Sequence, residues 1–65
     1  MKFSNKLKAW LIKYKIKDSQ FAREIKVSPS MIGRYKNNIS MPNYHTAKRI
    51  ALFTDYYISM NDMGF

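Results

Sequence analysis

Apolar residues recur along most of this chain at steps of three and four, the period of an α-helix with one buried face. Phe3, Leu7, Trp10, Leu11 and Tyr14 form the first such stripe, and Lys6, Lys8, Lys13 and Lys15 fall mostly between them. The spacing predicts an amphipathic helix over roughly 4–15, with Ser4 as its N-cap and Trp10 and Tyr14 on its core side. Phe21, Ala22 and Ile25 predict a second, shorter helix over about 18–25. Asp18 or Lys17 stands at its start, and Asp18 is chemically the better cap. Val27 and Ser28 form a turn, after which Pro29 brings the preset φ of a first helical position, so a third helix runs over about 29–36.

Asn37, Asn38 and Ser40 end that helix, because Asn tolerates left-handed φ and Pro42 cannot continue a helix. Asn43 caps a fourth helix with Tyr44, Ala47, Ile50 and Ala51 as its buried stripe and Lys48 and Arg49 outside. Ser59-Met60-Asn61-Asp62 has the form of a capping box and opens a last short turn ending near Gly64. Neither strand-period alternation nor an internal repeat interrupts this pattern. The expected class is all-α.

A length of 65 residues fits one domain over 1–65 with a thin core, since a domain of this size buries only about 60% of the surface its unfolded chain exposes. The absence of cysteine excludes disulfides and thiolate metal sites, and His45 alone, expected exposed in the first turn of the fourth helix, cannot make a zinc site. No metal and no cofactor are expected. Four scattered acids, and no nucleophile with a base and an orienter at recognisable spacing, predict no enzymatic activity. No apolar stretch approaches the roughly 20 residues that cross a bilayer, and no signal peptide is visible, so a soluble, cytoplasmic protein with no membrane partner is expected.

Charge sharpens the picture. The net charge is +8, yet all twelve Lys and Arg lie at or before Arg49, where only Asp18 and Glu24 oppose them, for a regional sum of +10. Such a body attracts a polyanion, either nucleic acid or an anionic membrane surface. The Lys-rich segment 4–17 supports the membrane reading, which cooperative unfolding in lipid-free buffer would count against. For nucleic acid the third helix is the candidate element. Ile32 and Tyr35 point inward, so Ser30, Gly33, Arg34 and Asn37 share the opposite arc, on a helix shaped to enter a DNA major groove.

Arg34 carries the planar fork that engages guanine O6 and N7 together, although a phosphate contact or a solvated charge is the alternative. Ser30 donates or accepts at several base edges, and Pro29 heads the helix. Gly33 either lets the backbone approach the groove floor or relieves crowding between helices. Phosphate contacts are expected from Lys36, Asn37, Asn38 and Ser40, then from Lys17, Ser19, Ser28 and Asn43. For the Asn pair, a structural C-cap is the alternative. The lysines of the first helix are a solvated face that raises the long-range potential.

These residues carry a resemblance. Phe21-Ala22, Ile25, Val27-Ser28, Ile32, Tyr35, Asn37-Asn38, Pro42 and Ile50-Ala51 are similar to the Cro and phage-repressor type of helix-turn-helix domain, over residues 7–63. Thr54 to Met63, with Ile58-Ser59 before Asp62-Met63, resembles small Cro-like regulators and the YdaS-type antitoxin proteins related to them. The resemblance implies a lambda-repressor-like fold of five short helices, bacterial or phage-encoded, and a transcriptional regulator that binds double-stranded DNA. It further implies a repressor on a pseudo-palindromic operator, with the helix 29–36 in the major groove. Three positions depart from the pattern. Lys26 stands where the family usually has Gly, Asp18 where it often has a Gln that touches phosphate, and Pro29 where an amide side chain often reads adenine.

The C-terminal stretch needs its own account. Phe53, Tyr56, Tyr57, Ile58, Met60, Met63 and Phe65 place seven large apolar side chains within thirteen residues that lack Lys and Arg. Segment 54–65 is therefore the expected dimerisation surface, with Tyr56, Tyr57, Ile58 and Phe65 at a homodimer contact that is weak without DNA. Two alternatives stand beside it. Ile58 and Met63 could simply close the core, or the segment could capture a toxin or other protein partner as an antitoxin-like module.

Overall fold

The computed structural model describes residues 2–65. Four α-helices follow one another, α1 (Phe3–Lys13), α2 (Asp18–Ile25), α3 (Pro29–Lys36) and α4 (Tyr44–Phe53), and one 3-10 turn (Asn61–Met63) follows them. The all-helical expectation holds, but the fifth helix does not. Its reciprocal cap forms, with the Ser59 N–H donating to Asp62 Oδ2 at 2.9 Å and the Asp62 N–H to Ser59 Oγ at 3.2 Å. Gly64 then turns left-handed at φ 92, and the Phe65 N–H returns to the Met60 carbonyl at 3.0 Å, which stops the element after a single turn.

The boundaries of α2 and α3 agree with the sequence reading, whereas those of α1 shift toward the N-terminus. Phe3 is buried and packs on the Tyr35 ring with centroids 6.0 Å apart, so the helix starts early enough to present it to the core. Ser4 therefore lies buried inside the first turn and is not the cap. At the other end Tyr14 is the C-cap and Lys15 takes φ 54. Tyr14 is left mostly in solvent, covering Trp10 from outside with centroids 5.0 Å apart.

All four α-helices end the same way. Lys15, Lys26, Asn38 and Asp55 adopt left-handed φ of 54°, 61°, 59° and 52°. The next residue's N–H then reaches the carbonyl five positions back: Ile16 to Leu11, Val27 to Ala22, Ile39 to Arg34 and Tyr56 to Ala51. This closure satisfies carbonyls that a helix end would otherwise orphan. Asn suits the conformation. Lysine at position 26 accepts a steric cost of about 1–2 kcal/mol to keep the turn between α2 and α3.

The core gathers Leu7, Trp10 and Leu11 from α1, Phe21, Ala22 and Ile25 from α2, Ile32 and Tyr35 from α3, and Ala47, Ile50 and Ala51 from α4. Trp10, Phe21 and Phe53 make a three-ring cluster with centroids 5.6–5.8 Å apart. Ile58 and Met63 close this core from the C-terminal side. Ile58 is 0% exposed, so its expected place at a dimer contact is corrected. Thr54 explains the inward course of the chain: its hydroxyl donates to the Ile50 carbonyl at 2.8 Å and accepts the Ile58 N–H at 3.2 Å.

A second tie comes from Lys6, whose Nζ lies 2.9 Å from Asp62 Oδ2 and joins the C-terminal segment to α1. Lys6, and next the Ser59 N–H, hold the Asp62 carboxyl below its ordinary value. Asn43 caps α4 as expected, its Oδ1 accepting the Thr46 N–H at 2.9 Å. Among the described residues no helix is long and apolar enough to cross a membrane.

Candidate nucleic-acid interface

Two residues decide which way α3 faces. Ile32 and Tyr35 are buried, and burial raises the Tyr35 hydroxyl above its ordinary pKa. Pro29, Ser30 and Arg34 on the same helix are exposed, Asn37 follows them at its C-cap, and Gly33 is partly covered. The expected base-reading set is thus brought together on one solvent-facing arc. At 1.5 Å per residue the eight residues of α3 span about 12 Å. A DNA major groove about 12 Å wide admits an α-helix, whose diameter with side chains is about 10–12 Å, so α3 is of a size to lie in it.

Gly33 has no structural duty that requires its missing side chain. A Cβ built there would meet nothing within 4 Å, and the backbone is ordinary helix. The crowding explanation for this glycine is therefore overturned. Glycine inside a helix costs about 0.8–1.0 kcal/mol relative to alanine, and the isolated fold offers no compensation for it.

Arg34 is braced. Its Nε donates to Ser40 Oγ at 3.1 Å, which leaves both terminal nitrogens of the guanidinium for an outside acceptor. Ser40, expected at a phosphate, is thus first a partner of the base-reading candidate. At the head of α3 the hydroxyls of Ser28 and Ser30 lie 3.1 Å apart and share a hydrogen bond.

The phosphate set divides. Lys17 and Ser19 are exposed at the start of α2, and Asn37 and Asn38 at the end of α3. Asn38 is at once the left-handed residue that closes α3, so its structural role is real. Asn43 spends Oδ1 on its cap, which leaves its amide N–H groups as donors. Lys36 departs from expectation, because its Nζ lies 3.0 and 3.1 Å from the two carboxylate oxygens of Asp18. Asp18 accordingly does not cap α2. Lys17 is the N-cap residue, and its N–H is taken by Gln20 Oε1 at 2.9 Å. The Asp18–Lys36 pair spans eighteen positions, and no local sequence pattern announces it.

Lys6–Asp62 and Lys36–Asp18 are the ion pairs among the described residues, which leaves ten of the twelve Lys and Arg without an acidic partner there. No group of three or more His, Cys, Asp or Glu able to hold a metal occurs among the described residues. Of the expected dimer residues, Tyr56, Tyr57 and Phe65 are exposed, and Ile58 is not. Tyr44, expected in the buried stripe of α4, is 53% exposed and packs edge-on against Phe65 with centroids 5.8 Å apart. As the first residue of α4 it stands one turn outside the Ala47–Ile50–Ala51 stripe.

No curated protein and no solved structure matches the chain. A family model described as helix-turn-helix matches residues 7–59, from the middle of α1 to the segment beyond α4. With α2 and α3 joined by the tight turn at Lys26, the chain belongs to the Cro and phage-repressor type of helix-turn-helix proteins, a family of DNA-binding regulators.

Proposed function

We propose that the chain is a Cro-like transcriptional repressor that occupies a pseudo-palindromic operator in double-stranded DNA as a homodimer. Residues 1–65 act as one DNA-binding unit in the cytoplasm of a bacterium, encoded by the cell or by a phage. α3 enters the major groove; Arg34 reads guanine through its terminal nitrogens, Ser30 reaches a neighbouring base edge, and Gly33 together with Pro29 keeps the helix close to the groove floor. Lys17, Ser19, Ser28, Asn37, Asn38 and Asn43 contact the bordering phosphates, and Ser40 holds Arg34 in position. The observation that carries this reading is a glycine on the exposed arc of α3 that the fold does not require.

Dimerisation is assigned to the face around Tyr56, Tyr57 and Phe65, with Tyr44 beside Phe65. No Lys or Arg follows Arg49 to repel a second copy. The same exposed aromatic face supports a second reading, capture of a toxin or other protein partner, and stoichiometric co-purification of such a protein would favour it. Selection of the purified chain against random duplexes is the test of DNA recognition. The expected winners carry two half-sites about 34 Å apart, and affinity falls as salt rises, with Lys17 contributing about 0.9 to the log-log slope in each subunit. Absence of enrichment, with affinity insensitive to salt, would contradict the proposal.

A further inference from the structure

We infer that Asp18 sets the strength of DNA binding by withholding Lys36 from phosphate. The inference rests on the DNA-binding reading above and deepens it. Lys36 is the last residue of α3 and lies beside Asn37, which the DNA-binding reading assigns to a phosphate. An ammonium has three donors. Two of them are engaged by Asp18 Oδ1 and Oδ2 at 3.0 and 3.1 Å. The carboxylate also sets a negative charge beside the place where a phosphate would bind.

The pair is open enough to exchange partners, with side-chain exposures of 31% for Lys36 and 38% for Asp18. Both phosphate and carboxylate are oxyanions that compete for one ammonium. With Asp18 present the internal partner is always at hand, and a phosphate contact by Lys36 must displace it. Without the carboxylate, Lys36 becomes an additional phosphate ligand in each subunit. Each such contact steepens the salt slope by about 0.9, which corresponds to roughly eightfold in affinity at 0.1 M salt.

The test is a double-mutant cycle read by fluorescence anisotropy on a 20-base-pair duplex of arbitrary sequence, across a series of salt concentrations. Asp18→Asn is expected to steepen the slope by about 0.9 per bound subunit and to bind about eightfold tighter at 0.1 M salt for each subunit bound, about 60-fold for the dimer. Adding Lys36→Gln to Asp18→Asn is expected to abolish both changes. Lys36→Gln alone is expected to leave the wild-type slope unaltered, and this arm stands even if Asp18→Asn is poorly folded in a circular-dichroism melt. An equal gain from Asp18→Asn with and without Lys36 would show a general charge effect and overturn the inference. So would a wild-type slope flattened by about 0.9 in Lys36→Gln, since Lys36 would then already be at a phosphate. If neither the wild type nor Asp18→Asn binds any duplex at low salt, the DNA-binding reading itself fails, an outcome distinct from binding without coupling.

Discussion

Gly33→Ala should move stability and DNA affinity in opposite directions. The added methyl meets no heavy atom within 4 Å in the folded chain, so it introduces no internal clash. Replacing a mid-helix glycine by alanine gains about 0.8–1.0 kcal/mol of helix propensity. For a domain of this size that raises the melting temperature by about 4–8 °C. In the proposed complex the same methyl stands on the arc of α3 between Ser30 and Arg34, where a close approach to the groove floor would leave no room for it. Overpacking of a close contact costs about 1–3 kcal/mol, a loss of roughly 5- to 150-fold in affinity. Thermal melts by circular dichroism give the first quantity and anisotropy titration of the selected operator gives the second. A variant that melts higher but binds with unchanged affinity would refute the close approach of Gly33 to DNA. A variant that melts lower would refute the claim that the site is open.

Arg34→Ala is expected to lose about 1–3 kcal/mol on the selected operator and to relax choice at one base position per half-site, checked by competition with point-substituted duplexes; an equal loss on all duplexes would reduce Arg34 to a phosphate contact. Ser40→Ala removes the acceptor of Arg34 Nε and is expected to relax the same position by a smaller amount, with stability unchanged. Lys26→Gly relieves a left-handed cost of about 1–2 kcal/mol against a glycine entropy cost of about 0.5–1 kcal/mol, so a net stabilisation of up to about 1.5 kcal/mol is expected in urea unfolding. Lys6 and the Ser59 N–H hold the folded Asp62 carboxyl below its ordinary value of 3.8. Its contribution is therefore present above that value and lost as pH falls through the lower folded-state value. Urea midpoints are expected to drop more steeply below about pH 4 for the wild type than for Asp62→Asn, and parallel curves would contradict the tie.

Most of the helical frame was legible because it is written in local chemistry. Asn43 before the Ala47–Ile50–Ala51 stripe, Pro29 after Ser28, and Asn38 before Pro42 each fix a boundary through their own backbone or side chain. The exposed arc of α3 followed from the same logic, once Ile32 and Tyr35 were turned inward. What escaped was set by contacts between distant segments. Ser4 could not be excluded as a cap without knowing that Phe3 meets Tyr35, thirty-two positions away. Ile58 looked available to a partner because the Thr54 hydroxyl that bends the chain inward is a tertiary feature in an unremarkable residue. Likewise Asp18 reads as a helix cap and Lys36 as a phosphate contact in sequence, and only the packing of α2 on α3 brings them together.

The central claim is that α3 is the surface that meets DNA. Amide chemical-shift mapping of the isotope-labelled full chain, titrated with the selected operator duplex, addresses it directly. The largest changes are expected at Ser30, Gly33, Arg34 and Asn37, with smaller ones at Lys17, Ser19 and Asn43, and with the amides of α1 from Leu7 to Ile12 nearly still. Changes concentrated on α1 or on Tyr56, Tyr57 and Phe65, with α3 unmoved, would contradict it.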